Sequence, residues 1–377
     1  MASSERIHAR RPVILVILSL LVFVALDNGL FRSGLYSRVT STKSVAGHFA
    51  AVARWCITTT PSQKKDVLVL GHSKIEAALS ARIFDEDNPD SHLRIVLGSS
   101  GGTTEKMWFY FLKHIDPDRT RYAAIVIPID TYRTPPLETD CNNQVDVAQF
   151  LSPMLDIADW RDLIGTYNNP DIRSKVILGA AVSSHLYATD LQDLLLHPVD
   201  RYESLAWAKA AAPTFLYNWD GYDGTLETLE LDEKGKIVHA PPQLEHDAFR
   251  RGETEARMLK LPKEFVGIWT ERYHAFRRQW FTRMIEYYAG SNTKIVFVQV
   301  PRWPFDMPAL MPIDGAPSIT DFVTPSQNVV VLDEKRFEDL EAPRYFYDVL
   351  HVNKLARGIF TRRFSKDLRA ALDDESR

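Results

Sequence analysis

An uncharged apolar run near the amino terminus, Pro12–Leu26 (PVILVILSLLVFVAL), constrains this chain more than any other feature. Its one polar side chain is Ser19. Extended to Phe31 it admits Asp27 and Asn28 and reaches about 20 residues, the length a helix needs to cross the hydrocarbon of a bilayer. It is apolar on every face, which argues against the helix of a soluble core. Arg6, Arg10 and Arg11 precede it, the charge layout also of a cleaved secretory signal, but no small-x-small cleavage site directly follows the apolar run. The expectation is a retained anchor, residues 1–31, crossing the inner (cytoplasmic) membrane once. Arg32, Arg38 and Lys43 lie beyond it, so the basic bias that sets orientation is slight. The preferred orientation puts the amino terminus inside and the bulk domain in the periplasm or other extracytoplasmic space.

The rest of the chain has the make-up of an ordinary globular protein. At 45% hydrophobic and 25% charged residues it has ample material for a core. Both signs of charge are spread along it, and the net charge is −4. There is no dense basic stripe and no aromatic–basic repeat, so nucleic-acid binding is not expected. Cys56 and Cys141 match no metal-ligand spacing. Outside the cytosol they are free to pair as a disulfide, and as plain buried thiols they need no partner.

Residues 32–65 read as a stem, with a short amphipathic helix through Val45, Phe49, Val52 and Ala53. Strands are expected at Asp66–Leu70, Leu93–Leu97, Ala123–Ile129, Lys294–Val300 and Val329–Leu332. Helices are expected at Lys74–Phe84 and near 104–114, 263–288 and 353–373. Short buried strands alternating with helices predict an α/β fold, a three-layer parallel sheet flanked by helices. Its first part is 66–135 and its second 291–377. The stretch between the third and fourth strands, about 160 residues, is too long for a single crossover and predicts an inserted cap over 136–290. Helical patterns at 190–195 and 202–211 and turn pairs at Asp220-Gly221 and Asp223-Gly224 fall within it, with a hairpin expected across 225–240.

Three segments carry residues suited to chemistry. In LGHSKIEAAL, residues 70–79, Ser73 stands where a strand passes into a helix, at the carboxyl edge of the sheet where ligands bind in open α/β folds. Ser73 with Glu76 is also an S-x-x-E capping box, which would stabilise a helix start without catalysis. In GSSGGTTEKM, residues 98–107, glycines after a strand allow a tight turn with exposed amides. The spacing is neither that of a P-loop nor that of a dinucleotide fingerprint. In YFYDVLHVN, residues 345–353, Asp348 and His351 are spaced so that a loop can bring both to one sheet edge. There His351 would act as general base towards a serine and Asp348 would orient it. Asn353 would cap the helix that follows.

Taken in this order, the three segments resemble the SGNH hydrolase superfamily, over roughly residues 65–135 and 290–375. Gly71-His72-Ser73 resembles the block that carries the nucleophile. Ser100-Gly101-Gly102-Thr103 resembles the block whose glycine amide joins the oxyanion hole. Asp348-Val349-Leu350-His351 resembles the block supplying acid and base. YFYDVLHVN followed by a helix is most similar to the membrane-anchored branch, which includes the D-alanyl transfer proteins of teichoic-acid modification and the alginate O-acetylation proteins. The resemblance implies an SGNH or flavodoxin-like fold, catalysis by Ser73, Asp348 and His351, and an oxyanion held by the amides of Ser73 and Gly101. It implies a serine-dependent acyl-ester hydrolase or O-acyltransferase acting on an extracytoplasmic glycan or lipid-linked polymer of the cell envelope, with no metal or organic cofactor. Two departures stand out. The aspartate usual beside the nucleophile is His72, and the G-x-N-D block reads Ile127-Pro128-Ile129-Asp130, so Asp130 replaces an oxyanion donor with a carboxylate. His72, Asp130 and Arg133 are then candidates for the surroundings of the site. The alternative reading is a catalytically weak or inactive partner of a membrane-bound O-acyltransferase. The Trp219-Asp220-Gly221-Tyr222 turn is a further candidate, as part of an acyl pocket.

Overall fold

In the computed structural model the described residues are 2–42, 44–59, 62–129, 146–232, 236–259, 266–305 and 318–373. They fall into two compact units, one made of residues 1–51 and 142–209, the other of 52–141 and 210–377. The 136–290 stretch is thus divided between them.

The second unit is built on seven strands: β1 (Lys65–Val69), β2 (Leu93–Leu97), β3 (Ala124–Ile129), β4 (Glu230–Leu231), β5 (Ile237–His239), β6 (Lys294–Gln299) and β7 (Val329–Val331). Five form a parallel sheet in the order β2-β1-β3-β6-β7, and β4 and β5 pair as a small antiparallel hairpin. The central strands are buried on both faces, as their unbroken Val/Ile/Leu runs require. The chain leaves β1 to form β2 on one side and returns to form β3 on the other. In open α/β sheets such a reversal marks the carboxyl ends of the two strands, here β1 and β3, as the place where ligands bind. The last helix, Lys354–Asp373, buries Ala356, Phe360, Phe364 and Leu368 in the core beneath.

The segment after β1 departs from the continuous helix expected over 74–84. It forms two helices, Ser73–Ala78 and Ala81–Asp87. Leu79 is extended, and Ser80 starts the second helix by accepting from the Ile83 N–H. Side chains of the last helix take up the freed polar groups. Arg357 donates to the carbonyls of Glu76 and Ala77, and Thr361 Oγ1 accepts from the Ser80 N–H at 3.0 Å. These groups satisfy a helix end that would otherwise leave carbonyls buried without donors.

The capping box also falls. The N-cap of Ser73–Ala78 is His72, whose Nδ1 accepts from the Lys74 N–H at 3.3 Å. Ser73 is the first helical residue, and its hydroxyl is left to bond elsewhere.

The first unit contains the helix Ala2–Arg32, whose part Val13–Arg32 is long and apolar enough to cross a membrane, with mean hydropathy 2.5. Helices Ile157–Gly165, Pro170–Ala181 and Ala188–Leu196 belong to the same unit. Phe31, Tyr36 and Tyr187 form its buried aromatic cluster. The stem carries the expected helix, Val45–Thr58, with Phe49, Val52 and Ala53 buried. Cys56 is a buried free thiol, pushed by burial up to about 12, and Cys141 lies outside the described residues.

Candidate active site

Gly71 sets the turn that presents Ser73. Its φ is +137°, a conformation that L side chains rarely adopt. A Cβ here would run into Ile75 and stand 2.7 Å from Pro128 Cγ. The Gly71 carbonyl accepts from the Ser100 N–H and from Thr103 Oγ1, both at 2.9 Å. Those bonds tie the loop after β2 to the loop after β1. Thr103 Oγ1 also accepts from the Trp108 indole N–H at 3.0 Å. As a result Gly101 lies against the serine, and a Cβ built on it would be 3.9 Å from Ser73 Cβ. Neither the Ser73 N–H nor the Gly101 N–H is used in a hydrogen bond among the described residues.

The loop 346–352 is closed at its base. Phe346 and Val352 pair as an isolated bridge, and the Tyr347 N–H donates to the His351 carbonyl at 2.9 Å. Asn353 fastens it. Its Oδ1 accepts from the Ala356 N–H at 3.2 Å, capping the last helix as expected, while its Nδ2 donates to the carbonyls of Gly224 and Arg344. Within the loop Asp348 Oδ1 accepts from the backbone N–H groups of Leu350 and His351, each at 2.8 Å. The three-residue spacing read from the sequence is therefore an Asx-type turn that folds the aspartate back onto the histidine.

Ser73, His351 and Asp348 are brought together in one hydrogen-bonded line. Ser73 Oγ is 2.8 Å from His351 Nε2, and His351 Nδ1 is 2.9 Å from both carboxylate oxygens of Asp348. Asp348 is 3% exposed. Burial alone would raise its pKa, but the hydrogen bond and charge of His351, the Leu350 N–H and Arg250 hold it down at about 2. An ionised carboxylate only accepts, so Nδ1 must carry the imidazole proton. Nε2 is then the acceptor, and the Ser73 hydroxyl donates to it. This is the protonation state in which a histidine removes a proton from a serine.

Sequence reasoning missed the groups behind the aspartate. Arg250 pairs with Asp348 Oδ2. Its guanidinium lies over the rings of Tyr222 and Tyr347, 5.0 and 5.1 Å from their centroids. The Tyr222 ring stacks on Tyr347 and stands 5.6 Å from the His351 ring. Gln243 Nε2 donates to the carbonyls of Thr225 and Tyr347. Tyr222 comes from the Trp219–Tyr222 turn singled out as a pocket candidate, and it packs on the histidine. Nothing local in Phe249-Arg250-Arg251-Gly252 marks Arg250 as different from a surface arginine.

His72 stacks at 6.3 Å on Trp108. Burial, with the charges of Lys74, Arg277 and His351, pushes it down to about 3, so it is neutral at physiological pH. Its unprotonated Nδ1 fits its role as the acceptor that caps the serine's helix. Asp130 and Arg133 lie outside the described residues.

Glu76, one turn after Ser73, is pushed up to about 7 by burial, only partly offset by Arg357. Its ordinary value is 4.5, so below that pH it is neutral whether folded or unfolded. As pH rises through 4.5 the unfolded chain ionises first, and folding loses stability until about pH 7, above which the penalty is full. Glu76→Gln is therefore expected to raise the unfolding midpoint at pH 8 and leave it nearly unchanged at pH 4. The gain at pH 8 is up to about 3 kcal/mol. Chemical denaturation at the two pH values checks this, and equal shifts at both would show that ionisation is not the cause.

No protein-family model matches this chain, and no curated protein is significantly similar to it.

Proposed function

We propose that this chain is a membrane-anchored serine acyl-ester hydrolase or O-acyltransferase of the SGNH type. The observation that carries the reading is the line Ser73 Oγ–His351 Nε2 and His351 Nδ1–Asp348, with heavy-atom distances of 2.8 and 2.9 Å. In the proposed reaction His351 Nε2 takes the Ser73 proton as Oγ attacks the acyl carbonyl. The amides of Ser73 and Gly101 donate to the oxygen on which negative charge develops. His351 then returns the proton to the leaving alkoxide, and an acyl-serine remains. In the second half an acceptor hydroxyl, from water or a carbohydrate, gives its proton to His351 and attacks the acyl-serine; the Oγ–acyl bond breaks, and His351 returns the proton to Ser73 Oγ.

The order of the GHS, SGGT and DVLH segments along the chain supports the SGNH type. The similarity of 345–353 to the membrane-anchored branch, with the apolar helix at Val13–Arg32, supports a glycan or lipid-linked polymer of the cell envelope as acceptor or substrate. The amino terminus is then cytoplasmic and the sheet unit extracytoplasmic. Ile127-Pro128-Ile129-Asp130, which lacks the oxyanion asparagine, favours a second reading, a non-catalytic partner of a membrane-bound O-acyltransferase.

A fluorophosphonate probe decides between them. The full chain in membranes is expected to gain one phosphonyl adduct on the peptide holding Ser73, lost in His351→Ala. A folded chain that stays unlabelled at saturating probe would remove the enzyme reading and leave the partner.

A further inference from the structure

The unit that holds the apolar helix exposes a second apolar surface close to the end of that helix. Three contacts fix the level. Asn28 Nδ2 donates to the Ala181 carbonyl at 2.9 Å, the Ser184 N–H donates to Asp27 Oδ1 at 3.1 Å, and Arg32 Nε donates to Ser183 Oγ at 3.3 Å. Residues 181–184 are therefore fastened to the last turns of Val13–Arg32, the stretch long enough to span. Asp27 is buried here and its carboxylate is occupied, as a polar group at the edge of hydrocarbon must be.

From this junction the chain continues as the helix Ala188–Leu196, which buries no residue. Leu195, Leu196 and Val199 are 78%, 64% and 67% exposed. Ile177 and Leu178, on the helix that enters the junction, are also exposed. An open groove of about 610 Å³ begins at Val182 and Ser184 and runs past Ala188 and Leu191 to Leu195 and Leu196. Tyr202, an aromatic with a polar tip, is exposed a few residues further on. Apolar side chains so exposed and so close together mark a surface that something covers. The groove starts on residues bonded to the spanning helix, so a bilayer that holds the helix reaches the groove as well. A leucine pair with a nearby tyrosine has the composition of an interfacial segment.

We propose that residues 177–202 lie in the membrane interface, with Leu195, Leu196 and Val199 inserted at the headgroup–acyl boundary and lipid acyl chains filling the groove beside Val182 and Leu191. The proposal rests on the spanning reading of the first helix and is independent of the serine chemistry. It gives the protein a two-point hold on the bilayer, which restricts rotation about the single helix.

The test uses the full chain, one copy per phosphatidylcholine nanodisc, with Cys141→Ser and the buried Cys56 retained. An environment-sensitive fluorophore is attached at Leu196→Cys, Val199→Cys or, within the span, Val22→Cys, and circular dichroism confirms that each variant is folded. Lipids with a nitroxide near the top of the acyl chain are expected to quench the 196 and 199 labels roughly twofold or more, and mid-chain nitroxides to quench the 22 label. Quenching at 22 without quenching at 196 and 199 would overturn the interfacial seat and leave the span standing. No quenching at 22 would overturn the span, and the proposal with it. Labels at 196 and 199 that respond only when several copies share a vesicle would assign the surface to a second copy of the chain instead.

Discussion

Ser73→Ala is expected to lower kcat for acyl-ester turnover by roughly five to six orders of magnitude, with KM and the unfolding midpoint nearly unchanged. The loss is large because Ser73 carries the proposed nucleophile, and among the described residues its hydroxyl is the one hydrogen-bonded to His351 Nε2. The fold should survive, since among the described residues the Ser73 hydroxyl bonds only to His351 Nε2, and it does not cap the helix. One such bond contributes about 1 kcal/mol. The short helix keeps its start, because its cap is the His72 side chain. His351→Ala should cost about as much, and the double variant little more than either, because the two groups act in one step. Steady-state kinetics on a chromogenic acetyl ester measures all three. Undiminished turnover by Ser73→Ala would end the role proposed for this serine.

The sequence made different parts of this molecule legible for different physical reasons. The sheet could be read because parallel strands buried on both faces must be continuous β-branched and leucine runs, and β1, β3 and β6 are such runs. The serine and the Asp348–His351 pair were legible because each depends on local spacing, a glycine turn in one case and a side chain folding back on its own loop in the other. Arg250 was not, because it meets Asp348 across a separation of 98 residues, and no local pattern records such a pairing. The break at Leu79 was hidden for the same reason, as Arg357 and Thr361, which absorb it, lie more than 270 positions away. Ser73 and Glu76 fit a capping box by residue type, yet the backbone turns one residue earlier and hands the cap to a histidine. The division of 136–290 between two units follows from contacts such as Asp27–Ser184, again remote in sequence.

Asp348→Asn is expected to lower kcat by roughly 10⁴ while leaving the nucleophile and the histidine in place. The aspartate matters as a hydrogen-bond acceptor with fixed geometry. Its carboxylate accepts the hydrogen bond from Nδ1–H at 2.9 Å, which keeps the proton on Nδ1 and so reserves Nε2 for Ser73. An asparagine amide turned to donate to Nδ1 forces the proton onto Nε2, where it blocks removal of the serine proton. Arg250→Met separates this tautomer effect from charge. It leaves Asp348 as an acceptor, so its cost in kcat should be far smaller than that of Asp348→Asn. Stability gives a second, independent reading. Asp348 titrates at about 2 in the folded chain against an ordinary 3.8, so its contribution is fully present above 3.8 and is lost as pH falls through 2. Asp348→Asn should therefore cost about 2 kcal/mol at pH 7 and progressively less in acid. A variant that keeps kcat within tenfold of the parent at pH 7 would mean that His351 does not need Asp348, and the hydrogen-bonded line would then be a structural feature of the loop alone.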